Sequence, residues 1–254
     1  MDKTGAGHGF CGLFTFLRFP AVTKRWSVNK PQKPCPAPAI LFATLLAMPL
    51  MTEAANDISE VNGAIEVAAN QQAGNLSTVN GQIQIGAGAS VGAVDTVNGR
   101  ISLDKGGSAE SLKTVNGSIT VEAEGRVGRS VTTVNGSITL EHNADVQGRV
   151  ATVNGDIRLD GAHVGQGIQT VEGDIEVARQ SRVEGGIHVE KEQTGWFSFS
   201  FWDQPPRIVI GPGAVVQGTL KFEREVKLYV SDTATIGPVE GAKVIRFSGE
   251  RPKD

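Results

Sequence analysis

Tyrosine and cysteine are almost absent from this sequence. Of its 254 residues one is tyrosine and two are cysteines, and aromatic residues make up 6%. Both cysteines, Cys11 and Cys35, lie in the N-terminal segment 1–55. The rest of the chain therefore has no thiol for a disulfide or for thiol chemistry. Few aromatics together with 32 glycines indicate many turns and a core of small aliphatic side chains.

An excess of positive charge is absent as well. The net charge is −3, and basic residues are concentrated near the N-terminus, so the remainder is more acidic still. Such a surface gives no electrostatic reason to bind nucleic acid, and we expect no nucleic-acid partner. His142, His163 and His188 have no cysteine or carboxylate at ligand spacing. We therefore expect no metal and no other cofactor.

The N-terminal segment has the pattern of a secretory signal. A basic segment, Lys24–Lys33, precedes the uncharged apolar run Ala37–Met51, and small residues follow at Ala54 and Ala55. A membrane-spanning helix needs about 20 apolar residues, and this run is shorter. We expect an N-terminal extension and signal peptide over 1–55, and export to the periplasm or cell surface of a bacterium. No membrane span is expected after cleavage, and a retained anchor is the alternative.

A short unit recurs along most of the remaining chain. After its Thr-Val-Asn-Gly core, apolar and polar residues alternate, as in Ser137-Ile138-Thr139-Leu140. Alternation over four or five positions predicts a half-buried strand, with Ile, Val and Leu pointing inward and Ser, Thr and charged residues outward. The valines of the unit recur at a nearly constant spacing, at Val61, Val79, Val97, Val115, Val134, Val153 and Val171.

Such short strands cannot bury their apolar side alone, so the repeat predicts coils stacked in register, with each Val about 4.8 Å above the preceding one. We expect Asn-Gly to form the turn, because Asn tolerates and Gly favours left-handed backbone angles. A hairpin meander is the rival, but glycine-rich stretches interrupt the second strand that it needs. The predicted fold is all-β, a single-stranded parallel β-helix (β-solenoid) over 56–247 with roughly eight or nine coils of about 18 residues. A polar tail follows over 248–254.

The asparagines of the repeat form the first candidate array. Amides stacked in register can hydrogen-bond to one another along the stack. A motif that every coil shares marks no single catalytic site. The predicted structural ladder consists of Asn62, Asn80, Asn98, Asn116, Asn135 and Asn154.

An acidic edge is the best candidate for chemistry. Polysaccharide lyases and hydrolases also use parallel β-helices, and their sites need clustered carboxylates. Asp156, Glu172, Asp174 and Glu176 are close in the predicted stack, and equivalent positions in other coils hold uncharged or basic residues. This favours a solvated edge with one ion pair, Arg158 with Glu176, over a catalytic site. We expect no catalytic residues and no enzymatic activity.

An aromatic insertion interrupts the repeat at 190–206. Insertions in solenoids project from one face, often the binding face, which makes a contact for a partner, a glycan or a membrane surface one interpretation. An extra strand that covers a solenoid face is the other, and it is favoured because clustered exposed aromatics promote aggregation. The aromatic residues are Trp196, Phe197, Phe199, Phe201 and Trp202.

Two families resemble parts of the chain. The Thr-Val-Asn-Gly-x-Ile-x-Val units over 58–189 resemble the adhesin-like repeat domains of exported bacterial proteins. The segment Ile208–Leu220 resembles a coil of the bactofilins, polymer-forming cytoskeletal proteins with a right-handed, three-sided β-helix. The resemblance implies a right-handed, three-sided solenoid that polymerises end to end. Bactofilins are usually cytoplasmic, so the predicted signal peptide departs from their pattern.

These features predict a non-enzymatic structural or adhesin-like protein of the bacterial cell envelope. It would self-associate through the unpaired strands of its end coils, with the polar tail blocking stacking at the C-terminal end. One alternative is a β-helix that binds or cleaves polysaccharide through the acidic edge. The other is a module that binds an envelope partner through the aromatic insertion.

Overall fold

The computed structural model describes residues 56–191 and 205–252, which belong to one compact unit, Met51–Asp254. These residues form 26 short strands, paired in parallel, and no helix. Each circuit of the chain adds strands to three columns, so the chain is a parallel β-solenoid, as the repeat predicts. The predicted segment 1–55 and most of the aromatic insertion lie outside the described residues.

The first column contains the strand that leads into each Asn-Gly corner. Its strands pair in register, for example Leu76 with Val94 and Thr78 with Thr96. In chain order they are Ile58–Asn62, Leu76–Asn80, Ser90–Asn98 and Ser108–Asn116 (both of which begin in the third column), Val131–Thr132, Arg149–Ala151, Gly167–Thr170, Gly186–Val189, Leu220–Phe222 and Val239–Glu240.

The second column contains the strand that follows each corner, and its ten strands define ten coils. Eight or nine were predicted. The C-terminal segment 223–247 alone contributes two of these strands. The strands are Ile65–Val67, Ile83–Ile85, Ile101–Leu103, Ile119–Val121, Ile138–Leu140, Ile157–Leu159, Ile175–Val177, Arg207–Ile210, Lys227–Ser231 and Val244–Phe247.

The third column completes each circuit with very short strands. It starts from an isolated bridge between Gln72 and Ser90 and continues through the first residues of the two long strands. Above them lie Arg126–Val127, Asp145–Val146, His163–Val164, Arg182–Val183, Val215–Val216 and Thr235–Ile236. The right hand and the three-sided cross-section remain predictions.

Stacked aliphatic side chains form the core. In the second column, Ile138 and Leu140 are fully buried, and the residue between them lies on the outer face. Ile101 lies in register with Ile83 in the coil before and Ile119 in the coil after. Burial of one such side chain stabilises the fold by about 1.5–3 kcal/mol. Because every coil repeats the same inward residues, continuous apolar rows hold the coils together.

The Thr-Val pair of each repeat has the opposite orientation from the one predicted. Thr114 is fully buried, whereas the following Val115 lies on the outer face. The reason is the period of two in a strand: Leu112 points inward, so the residue two positions later must do the same. The valines therefore form a column on the outer surface, where Val61 is 64% exposed.

Five of the six buried threonines donate to a glycine carbonyl of the preceding coil, and the sixth, Thr170, donates to the Glu172 carbonyl of its own coil. Thr114 Oγ1 donates to the Gly99 carbonyl at 3.1 Å, and the equivalent bond recurs in four other coils at 3.0–3.3 Å. A valine would fill the same inward space but could not donate this hydrogen bond. The inward position therefore requires a hydroxyl donor, because stacking of the repeat places a glycine carbonyl beside it.

Close approach between coils explains the glycine at each corner. A Cβ atom on Gly99 would lie 1.8 Å from the carbonyl oxygen of Gly81, far inside van der Waals contact. None of the six ladder asparagines has a positive φ. Among the glycines that follow them, only Gly136 and Gly155 have a positive φ, so the predicted left-handed conformation does not explain the Asn-Gly pair in every coil. The glycine makes room for the carbonyl of the coil beneath it.

Left-handed residues occupy a different corner, the one between the second and third columns. One residue per coil there has a φ of 59–68° over eight coils. Six of the eight are glycine or asparagine, the residues that adopt this conformation most readily. The eight are Asn70, Gly88, Gly106, Glu124, Asn143, Gly161, Gln180 and Gly213.

We predict that Gly99→Ala destabilises the solenoid by about 1–3 kcal/mol, because the new methyl group collides with a backbone carbonyl that cannot move aside. Gly63→Ala is the matched control, since nothing lies within 4 Å of its Cβ position. Urea unfolding followed by circular dichroism measures both. Equal effects of the two substitutions would contradict the steric explanation.

We also predict that Thr114→Val lowers the unfolding free energy by about 1–3 kcal/mol. The substitution keeps the side-chain volume but leaves the Gly99 carbonyl without its hydroxyl donor. Thr139→Val, on the outer face of the second column, serves as the control and should change stability little. If Thr114→Val proves neutral or stabilising, the hydroxyl is not what selects threonine.

Candidate functional site

An asparagine ladder runs along the corner between the first and second columns. The Nδ2 of each asparagine from Asn80 to Asn154 donates to Oδ1 of the asparagine in the preceding coil, at 2.8–3.0 Å. All six side chains are exposed. An interior asparagine therefore donates one bond and accepts one, whereas Asn62 at the foot only accepts. The environment is the same from coil to coil, so the ladder is a structural array.

The ladder ends where the repeat fails, at Glu172. This residue is in register with Asn154, but a carboxylate has no hydrogen to donate. Arg224, two coils further on, reaches back to this corner. Its Nη1 donates to the Val171 carbonyl at 3.2 Å and lies 3.6 Å from Glu172 Oε1. Arg224 thus provides a hydrogen-bond donor and a positive charge at the corner where the series of asparagines stops.

Two carboxylates of the predicted acidic edge lie in adjacent coils, and both bind backbone. Asp156 Oδ1 accepts the N–H of Asp174 at 3.0 Å, and Asp174 Oδ1 accepts the N–H of Arg207 at 2.8 Å. Glu176 Oε2 pairs with Arg158 Nε at 2.9 Å. Glu172 belongs to the ladder corner and not to this group. These acidic groups therefore have structural partners, and Asp156, Asp174 and Glu176 line one cavity together.

A groove lies between this edge and the C-terminal tail. Glu250 Oε1 is 3.5 Å from Arg179 Nη1, a well-solvated pair that fixes the tail only weakly. Beneath the tail are two adjoining cavities of about 400 and 720 Å³, which share Arg158, Glu176 and Arg251 in their walls. Ionised side chains of both signs line the groove, so it has no single charge preference.

Sequence spacing alone missed a polar cluster on the outer face of the first column. His188 Nε2 lies 3.2 Å from Glu223 Oε1, which also accepts from Lys221 Nζ at 2.6 Å. Glu190 approaches His188 from the other side, with Oε1 3.9 Å from Nδ1. The register of the strands reveals this cluster. His188 and Lys221 are partners across adjacent strands, although the insertion separates them in the chain.

His163 has carboxylate partners from neighbouring coils as well. Its Nδ1 lies 2.6 Å from Asp145 Oδ1, and its Nε2 lies 3.4 Å from Glu184 Oε1. Stacking therefore gives His163 and His188 carboxylate neighbours that spacing along the sequence does not show. Over 56–191 and 205–252, no group of three or more His, Cys, Asp or Glu residues could hold a metal ion.

The hydrogen bond from Lys221, followed by that from His188, lowers the pKa of the Glu223 carboxyl to about 2. The same Lys221–Glu223 hydrogen bond raises the pKa of the Lys221 ammonium group above its ordinary value. Both groups are solvated, so salt screens their interaction. Glu223 and Lys221 therefore stay paired as ions over a wider pH range than a free carboxyl and a free ammonium group would.

The predicted aromatic contact cannot be placed on this surface. Trp196, Phe197, Phe199, Phe201 and Trp202 lie outside the described residues. Their insertion begins after the first-column strand Gly186–Val189 and ends before the second-column strand Arg207–Ile210. In the described part of the chain, no helix is long and apolar enough to cross a membrane.

No protein family, curated protein or solved structure matches the chain.

We predict a pH-dependent effect of Glu223→Gln on stability. A carboxyl with a lowered folded-state pKa stabilises the fold fully above its unfolded pKa of about 4.5, and this contribution is lost as pH falls through about 2. Glu223→Gln should therefore destabilise the protein at neutral pH and lose its effect as pH falls toward 2. Urea midpoints across this range measure it, with the exposed Glu225→Gln as control. A penalty that stays constant down to pH 2 would contradict the assignment.

Proposed function

We propose that this chain is a non-enzymatic structural or adhesin-like protein of the bacterial cell envelope that self-associates through its N-terminal coil. The observation that carries the proposal is the uninterrupted register of ten second-column strands. At the strand spacing they span roughly 45 Å as a rod. Such a rod can present surfaces at fixed intervals. It can also be extended when another copy pairs with an end coil.

The assignment as non-enzymatic is supported by how the candidate carboxylates are used. Asp156 and Asp174 each accept a backbone N–H, and Glu176 is paired with Arg158. A lyase or hydrolase of this architecture needs an acid and a base directed at one substrate position. Here the carboxylates stabilise the stack of coils instead.

The two ends of the rod differ in the side chains that their coils expose, although each carries a charge at an inward position. In the last coil, Arg246 is in register with the buried Val230, and its Nη1 donates to the Ser231 carbonyl at 3.2 Å. A charge above the apolar core opposes further stacking. The polar tail, predicted to block this end, instead contacts the outer face at Arg179.

At the first coil the edge carries the outward Val61, while Glu60 takes the inward position in register with the buried Thr78. Val61 is 64% exposed, compared with 41% for Val79 in the next coil. Parallel strands direct half of their backbone groups toward each neighbour, so one set in the first coil has no strand of this stack to pair with. We propose that the first coil of another copy pairs with this edge.

Fractionation of the producing bacterium, with mass spectrometry of the recovered chain, tests the location. The proposal expects the chain in the envelope fraction, starting near Ala54 or Ala55. Recovery of the intact 1–254 chain from the cytoplasm would refute export. Cross-linking before extraction would identify envelope components that bind the rod.

Val61→Lys should weaken self-association of the exported protein by about tenfold or more, because it replaces an apolar edge side chain with a charged one. Val79→Lys changes the same outward column one coil further in, where both sides of the strand are paired, and should have little effect. Sedimentation velocity over a concentration series measures both variants. A wild-type protein that stays monomeric at high concentration, or equal effects of the two variants, would reject association through the first coil.

A further inference from the structure

We propose that Asn62-Gly63, at the foot of the ladder, is a site of spontaneous covalent modification. The Asn62 side chain there deamidates through a cyclic succinimide, while the ladder protects the five Asn-Gly pairs above it. The six pairs share one local sequence, Val-Asn-Gly. Differences in their reactivity must therefore come from their positions in the stack.

The reaction needs no partner other than water and hydroxide. The glycine nitrogen loses its proton to hydroxide and attacks Cγ of asparagine, which is sterically open because glycine has no Cβ. A bond forms between this nitrogen and Cγ, and the bond from Cγ to Nδ2 breaks, so that ammonia leaves with a proton taken from water. Water then opens the succinimide at either carbonyl, which gives aspartate or isoaspartate. No electron is transferred and no metal is required.

The pairs above the foot are restrained at both reacting atoms. Asn98 Nδ2, part of the leaving group, donates to Asn80 Oδ1 at 2.9 Å, and Asn98 Oδ1 accepts from Asn116 at 2.8 Å. Rotation of the amide toward the glycine nitrogen breaks these bonds. The glycine has little freedom to approach, since the carbonyl of Gly81 occupies the space beside Gly99.

Asn62 lacks most of these restraints. Its Nδ2 has no acceptor among the described residues, and nothing lies within 4 Å of the Cβ position of Gly63. The preceding Val61 is also the most exposed valine of its column. One restraint is common to all the pairs: the Gly63 N–H donates to the Asn80 carbonyl at 3.1 Å, as the Gly81 N–H does to the Asn98 carbonyl. This bond therefore slows every pair alike and does not distinguish them.

An aspartate formed by deamidation also disturbs the ladder less at position 62 than at the positions above it. Asn62 acts only as an acceptor, so an aspartate there can still accept the bond from Asn80. An aspartate at position 98 would lose its donor and place a carboxylate oxygen against Asn80 Oδ1. Modification at the foot thus adds a negative charge beside Glu60 and leaves the remaining ladder bonds in place.

Peptide mapping by tandem mass spectrometry after incubation at mildly alkaline pH tests the proposal. In the folded protein Asn62 should deamidate about tenfold faster than Asn98, because Asn98 must break one more ladder bond before it can react. In urea all six pairs should react at similar rates. Equal rates for Asn62 and Asn98 in the folded protein would overturn the proposal, as would the same site order in urea.

A variant tests the protective bond at a second place. Asn98→Ala removes the acceptor of Asn116 Nδ2 but leaves the bond from Asn135 to Asn116 intact. Deamidation of Asn116 should then accelerate by a similar factor while Asn154, further up the ladder, keeps its slow rate. Circular dichroism confirms that the variant is folded. An unchanged Asn116 rate in the folded variant would show that the ladder bond does not protect.

Discussion

The close approach of each corner glycine to the carbonyl of the corner glycine in the coil below is the constraint on which the rest of the structure depends. The Gly81 carbonyl fills the space that a Cβ on Gly99 would need, and the hydroxyl of Thr96 donates to this carbonyl at 3.2 Å. This arrangement requires glycine at the corner and a hydroxyl on the inward residue three positions before it. It also sets the coils at strand spacing, so that the aliphatic rows of the other columns meet in register.

The outer surface follows from the same corner. Once threonine points inward, the following valine must point outward, and the asparagine after it lies at the edge of the turn. Valines and asparagines consequently form two parallel exposed rows along the rod. The asparagines satisfy one another through side-chain bonds of 2.8–3.0 Å. The result is a repetitive, weakly charged strip whose interior asparagines all make the same pair of side-chain bonds.

Distinct chemistry occurs where this regularity stops. Glu172 replaces an asparagine and is met by Arg224 from two coils further on. His188, Glu223 and Lys221 gather on the coils that flank the insertion. At the last coil, Arg246 takes the place of a core valine. The C-terminal coils therefore combine a capped end with a polar, charged surface, while the N-terminal coil keeps the apolar Val61 exposed at its edge. This asymmetry underlies the proposal that copies associate through one end.

Sequence periodicity by itself determined the architecture, because a near-constant spacing between identical units leaves few ways to bury their aliphatic side chains. It also determined which asparagines share an edge and which aspartates are neighbours, since a stack carries equivalent positions onto one line. Tertiary structure alone decided the direction of the Thr-Val pair. Apolarity predicts valine inward, but the unsatisfied glycine carbonyl exists only once two coils are stacked. Likewise, only the register across the insertion brings Lys221 beside His188, because contacts between coils depend on stacking and not on distance along the chain.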